Sequence, residues 1–235
     1  MKKTKLFLLH FAGGNFYSYQ FITNYLTDDF EVIPVELPGR GKRIKETLLT
    51  DFDLAASDIF NQIKPRIESA DFIIYGHSMG SSLALRVSNL LLQLQIKPIC
   101  IIVSGNPGPG IKENKKRYLL EKQPFIDELK RLGGFPKELI DHEELINFYE
   151  PILRADFEIA EKNNLELDQK INTPIYAMMG NEEEKVDEIT NWSRFTSNDF
   201  GYKIFDGGHF FIHKYPEKIA IQIKKFYHNA LLLYK

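Results

Sequence analysis

The sequence predicts an α/β fold, a doubly wound and mostly parallel sheet interrupted by one helical insertion. Three observations carry that expectation. Apolar runs of strand length recur along the chain, segments with helical periodicity separate most of them, and the alternation breaks once, after Ser104.

In chain order, the apolar runs at 6–9, 32–35, 72–75, 99–103 and 175–178 are short and nearly uninterrupted, as strands buried on both faces are. Segment 53–67 places Leu54, Ile59, Ile63 and Ile67 at helical spacing, and 81–94 does the same with Leu83, Val87, Leu90, Leu91 and Leu94. The turn-rich stretch Gly105-Asn106-Pro107-Gly108-Pro109-Gly110 then opens an insertion covering about 108–165. Within it, 125–132 is helical and stopped by Gly133-Gly134, and a second helix is expected over 143–153. Such an insertion is either a lid over a site or a packed helical extension, and its position in the chain favours the lid. Residues 202–205 form the last strand, and 216–227 a closing helix with Ile219, Ile223 and Phe226 on one face. A single domain over 1–235 is expected, because α/β chains of this length close around one core.

Composition narrows the function classes. With 43% hydrophobic, 26% charged and 13% aromatic residues, the chain reads as a soluble globular protein rather than a disordered one. A net charge of −2 supplies no basic field for nucleic acid or anionic lipid. No window approaches the ~20 apolar residues of a membrane span. The apolar run after the basic start is too short for a signal peptide, so a cytoplasmic location is expected. The single cysteine, Cys100, lies inside an apolar run and reads as a small buried hydrophobe.

Chemistry enters at Gly76-His77-Ser78-Met79-Gly80, which follows one predicted strand and precedes a predicted helix. That is the setting of the nucleophile elbow of an α/β-hydrolase fold. A serine there sits on a strained turn, and residues without bulk two positions away let strand and helix pass closely. Ser78 is therefore the candidate nucleophile. The helix behind it aims N–H groups at a developing oxyanion, with Met79 as one donor. The second donor belongs to the loop His10-Phe11-Ala12-Gly13-Gly14-Asn15, where Ala12 is the first choice and Phe11 its neighbouring alternative.

In this fold the chain order of the triad is serine, acid, histidine. His209, in Gly207-Gly208-His209 after the last predicted strand, occupies the place of the base. His213 comes four residues later, His142 and His228 lie in helical sequence, and His10 and His77 come too early. The acid should follow the strand at 175–178, where Glu182, Glu183, Glu184 and Asp187 compete. A spacing of three residues from Gly180 and three to Val186 selects Glu183, with Asp187 as the alternative. Such a triad requires no metal and no cofactor.

Taken with these motifs, the chain resembles the type II thioesterases, the stand-alone editing enzymes of nonribosomal peptide and polyketide synthases. The resemblance runs through Ala12-Gly13-Gly14, Leu37-Pro38-Gly39-Arg40-Gly41, the Ser78 motif, Leu129-Lys130-Arg131-Leu132-Gly133-Gly134, Pro151-Ile152-Leu153-Arg154-Ala155-Asp156-Phe157, Trp192 and Phe205-Asp206-Gly207-Gly208-His209. It implies a helical lid and an acyl thioester substrate carried on the phosphopantetheine arm of an acyl or peptidyl carrier domain. A monomer is expected. One departure stands out: these enzymes usually carry Asp where Glu183 stands, a difference of about one bond length in reach.

Arg40 and Arg43 could contact the carrier or the pantetheine phosphate or serve the loop structurally, and Arg154 with Asp156 could be an internal ion pair or a substrate contact. Two other functions remain open: a medium-chain fatty acyl carrier thioesterase that terminates elongation, and a carrier-binding module without turnover.

Overall fold

The computed structural model describes residues 3–67, 70–111, 115–134 and 141–234. Parts of the expected insertion, at 112–114 and 135–140, lie outside the described residues.

Strands β1 (Thr4–Leu9), β2 (Phe30–Val35), β3 (Phe72–His77), β4 (Ile101–Ser104), β5 (Ile175–Gly180) and β6 (Phe200–Phe205) form a six-stranded sheet. Its order is β2-β1-β3-β4-β5-β6, and every pairing is parallel. Among the described residues the α-helices are α1 (Gln20–Thr23), α2 (Phe52–Ile63), α3 (Met79–Leu92), α4 (Lys122–Leu132), α5 (Glu143–Glu161), α6 (Phe211–Lys214) and α7 (Pro216–Tyr234). Successive side chains of a strand point to opposite faces, and the layers follow from that. Phe7, Leu9 and Ile74 pack with α2 and α3, while Leu6, Leu8, Ile73 and Tyr75 pack with α1 and α7.

Several boundaries depart from the sequence expectation for local reasons. α2 starts at Phe52, capped by the Asp51 carboxylate accepting from Leu54 N–H at 2.9 Å. Its buried stripe is Phe52, Ala55, Ala56, Ile59 and Ile63, which leaves Leu54 59% exposed. Ala55 and Ala56, not Leu54, face the core. The helix gives way to a 3₁₀ turn at Lys64–Arg66, where Pro65 lacks an N–H for the α ladder. Leu94 lies past the end of α3 and is exposed. The strand expected from Ile99 enters its ladder only at Ile101, although Ile99 and Cys100 are buried. α5 continues through Pro151 to Glu161, well past the expected end at Leu153.

The insertion connects β4 to β5. Phe125 and Leu129 of α4 pack with Ile146, Leu153 and Phe157 of α5, and Ala12 from the loop after β1 completes this small apolar cluster. Arg117 joins the pieces: its side chain donates to Glu128 of α4 at 2.8 Å and to Glu161 of α5 at 3.1 Å.

The strand order places the site. The chain leaves β1 toward β2 on one side and returns to β3 on the other, so the loops after β1 and β3 diverge and open a crevice between them. Open α/β sheets bind ligands at such switch points, beyond the carboxyl ends of the strands.

Candidate active site

Ser78 is the residue between β3 and α3, with φ 56° and ψ −116°. Positive φ is costly for a residue with a side chain, and the surrounding structure must hold it. Ser78 N–H donates to Ser104 O at 2.7 Å, and Ser81 N–H returns to Ser78 O at 3.0 Å. The flanking glycines explain themselves by close approach. A Cβ on Gly76 would lie 2.1 Å from Gly80 O, and one on Gly80 would lie 2.2 Å from Leu9 O. The strand, elbow and helix therefore pack at a distance that no side chain permits.

Ser78 opens into a pocket of about 330 Å³ together with His209, Glu183 and Ala12. The insertion forms much of its wall, with Arg131 and Leu132 from α4 and Phe157, Ala160 and Glu161 from α5. His209 Nδ1 and Glu183 Oε2 are 2.7 Å apart, with the Glu183 side chain only 6% exposed. The other carboxylate oxygen, Oε1, accepts from Gly180 N–H at 2.7 Å. One oxygen thus anchors the acid to the end of β5 and the other holds the imidazole. A carboxylate here is an acceptor only, so Nδ1 carries a proton and Nε2 keeps its lone pair when the ring is neutral.

None of the other acidic residues of that loop bonds His209 among the described residues. Glu184 pairs with Arg131 and Lys115 on the surface, at 3.2 and 3.5 Å. Asp187 is exposed in the 3₁₀ helix Val186–Phe195. Glu182 is exposed and lines the pocket. The geometry brings His209 together with Glu183 and leaves Asp187 apart.

Met79 is the first residue of α3, where an N–H has no carbonyl one turn back within the helix. Ala12 lines the pocket and is 8% exposed. The histidines that flank the motifs are buried and structural. His10 Nδ1 donates to Phe11 O at 2.9 Å, and its pKa is pushed down to about 4 by burial and by Arg40. His77 contacts Ser104 Oγ through Nδ1 at 2.8 Å, and its Nε2 has no hydrogen-bond partner among the described residues. Burial, reinforced by His209 and His213, pushes the His77 pKa well down. A neutral His77 with its ring 4.9 Å from that of His209 does not oppose a positive charge forming there.

A thioesterase domain model matches residues 4–227. The chain belongs to the thioesterase family. It is 29% identical over 216 residues to gramicidin S biosynthesis protein GrsT of Aneurinibacillus migulanus, covering 90% of this chain and 84% of that one. It is 29% identical over 217 residues to the medium-chain S-acyl fatty acid synthase thioesterase of Rattus norvegicus, covering 89% and 82%. Among solved structures it matches the type II thioesterase BorB from the borrelidin biosynthetic cluster, with TM-score 0.87, 28% identity and coverage of 96% and 93%.

In this thioesterase, a hydrolase of thioesters, the structure decides one sequence reading for its structural alternative and overturns another. Arg40 is 3% exposed and cannot reach a partner protein; it forms a bidentate pair with Asp156, at 2.5 and 2.8 Å. Arg154 pairs instead with Glu150, at 2.7 Å. Arg43 is held by Asp58 and Glu46. The proposed internal pair of Arg154 with Asp156 is therefore replaced, because neighbours two positions apart on a helix do not face each other. Sequence reading also missed Trp192 as a support: its Nε1–H donates to Asn106 O at 2.8 Å, bracing the loop that lines the pocket.

Proposed function

We propose that this thioesterase is a type II enzyme that frees carrier domains of nonribosomal peptide or polyketide synthases from unwanted acyl groups. The carrier's phosphopantetheine arm would deliver the thioester to the pocket, in the cytoplasm. The observation that carries the reading is the Glu183–His209 bond of 2.7 Å in the same pocket as Ser78 at its elbow.

Ser78 Oγ attacks the thioester carbonyl while His209 Nε2 takes its proton. The carbonyl π pair becomes an oxyanion, held by the N–H groups of Met79 and Ala12. Collapse breaks the C–S bond, and the imidazolium returns the proton to the pantetheine sulfur. Water, deprotonated by His209, then releases the acid and restores Ser78. Glu183 keeps Nδ1 protonated and stabilises the imidazolium. The scheme uses no metal or cofactor beyond the arm on the substrate.

Mass spectrometry of an acylated carrier should show release by the wild type and none by Ser78→Ala; full release by that variant overturns the mechanism. The likeness to the rat enzyme favours a second reading, termination of fatty acid elongation. A chain-length series on one carrier separates the two, since a sharp optimum at medium or long acyl chains supports termination. Labelling of Ser78 by a fluorophosphonate tells either enzyme from a binding module without turnover.

A further inference from the structure

A buried carboxylate ties the insertion to the loop after β1. Asp156 of α5 is fully buried, and it makes three contacts. Its Oδ2 accepts from Gly13 N–H at 2.8 Å and from Arg40 Nη1 at 2.5 Å, and its Oδ1 accepts from Arg40 Nη2 at 2.8 Å. Arg40 extends the network to the same loop, with Nη1 3.4 Å from Gly14 O. Gly13 has φ 77°, a conformation open to glycine and costly for other residues, and it directly follows Ala12.

The next residue of the helix, Phe157, lines the pocket, and with Leu153 it packs in the cluster that includes Ala12. A buried ion pair is weak evidence for stability, since apolar residues of similar volume often serve as well. Its placement is more informative: the carboxylate holds the backbone amide beside the proposed oxyanion donor. We infer that Asp156, through Gly13 and Arg40, is a positioning residue that sets the Ala12 N–H for the oxyanion, so that the hole is complete only when α5 is seated.

The inference rests on the reading of Ala12 as a donor and of Ser78 as the nucleophile. Donors count only where they lie about 3 Å from the oxyanion, and loss of one such donor costs about 10²–10³ in kcat. A displaced donor falls at or below the low end of that range.

The test uses Asp156→Asn and the double variant Asp156→Leu/Arg40→Met. The double variant removes both charges together and leaves Gly13 N–H without its acceptor. Rates are expressed per active site titrated with a fluorophosphonate. Two probes are compared, a trifluoromethyl ketone and a methyl ketone built on the same acyl-pantetheine skeleton. The first accepts Ser78 Oγ at its carbonyl carbon and becomes an oxyanion, with the proton passing to His209; the second binds as a ground-state analogue.

The double variant should lose about 10- to 100-fold in kcat, with KM within about threefold of wild type, and Asp156→Asn, whose one amide oxygen can still accept from Gly13 N–H, should lose less. The inhibition constant of the trifluoromethyl ketone should rise by the same factor as kcat falls, with that of the methyl ketone unchanged. A merely structural role would lower the number of titrated sites and leave kcat and both inhibition constants per site as in wild type, which overturns the inference. Wild-type kcat in the double variant overturns it as well. If Ser78→Ala is inactive while the Asp156 variants turn over normally, the inference alone fails. If the trifluoromethyl ketone binds wild type no tighter than the methyl ketone, the oxyanion reading fails and the inference with it.

Discussion

Replacing Glu183 by Gln tests the acid of the proposed triad with little change in shape. In the wild type both carboxylate oxygens are engaged, Oε1 by Gly180 N–H and Oε2 by His209 Nδ1, each at 2.7 Å. An amide has only one acceptor oxygen. The backbone N–H of Gly180 can only donate, so it claims that oxygen and turns the amide NH₂ toward His209. The imidazole must then present the Nδ1 lone pair and carry its proton on Nε2, where it cannot take the proton of Ser78. An acid-to-amide change that enforces the wrong tautomer in a serine triad costs about 10⁴ in kcat. At 1.36 kcal/mol per factor of ten, this is about 5 kcal/mol of transition-state stabilisation. The assay is thioester hydrolysis per folded molecule, with circular dichroism confirming the fold. Asp187→Asn, made in parallel, should stay within about threefold of wild type, because Asp187 is exposed and Glu183 holds the histidine. A Glu183→Gln variant within tenfold of wild type, or a larger loss in Asp187→Asn, would refute the reasoning.

Two further outcomes follow from packing and burial. Gly76→Ala puts a Cβ 2.1 Å from Gly80 O, against backbone that cannot swing aside. Destabilisation should reach about 3 kcal/mol, which differential scanning calorimetry would read as a Tm lower by roughly 6–12 °C for a chain of this length; an unchanged Tm would show that the elbow relaxes. His10 stays neutral in the fold down to about pH 4 but takes a proton near pH 6.5 when unfolded. Between those values the unfolded state binds more protons, so stability falls as pH falls from 6.5 to 4, by about 3 kcal/mol from this residue. Urea unfolding across that range should lose this component in His10→Asn, whose amide can still donate to Phe11 O; an unaltered slope would exclude His10 as its source.

The two kinds of site residue differ in how the sequence announces them. Ser78 and the glycines around it are legible because a strand, a strained turn and a helix impose their residue types within five consecutive positions. His209 is legible because the fold has a fixed chain order, and the loop that carries the acid because it must follow β5, with spacing that favours Glu183 over Asp187. The alternation of apolar runs determined the parallel sheet in the same way, since burial on both faces leaves a continuous local signal.

Other decisions required the assembled chain. Arg40 and Asp156 are 116 residues apart, and nothing local to either marks the other as its partner. Leu54 and Leu94 carry the helical pattern but are exposed, because the place where a helix stops and the depth of its contact are set by packing. The choice of Glu183 over Asp187 rests on which carboxylate meets both an imidazole and a backbone N–H, a matter of direction as well as spacing. Sequence alone thus determined the sheet, the strand-turn-helix that carries Ser78 and the loop after the last strand that carries His209, through constraints between near neighbours or fixed by chain order. Only tertiary structure decided which acid holds His209 and which carboxylate ties the insertion to the loop of Ala12, because hydrogen bonds and buried charges depend on the three-dimensional approach of distant segments.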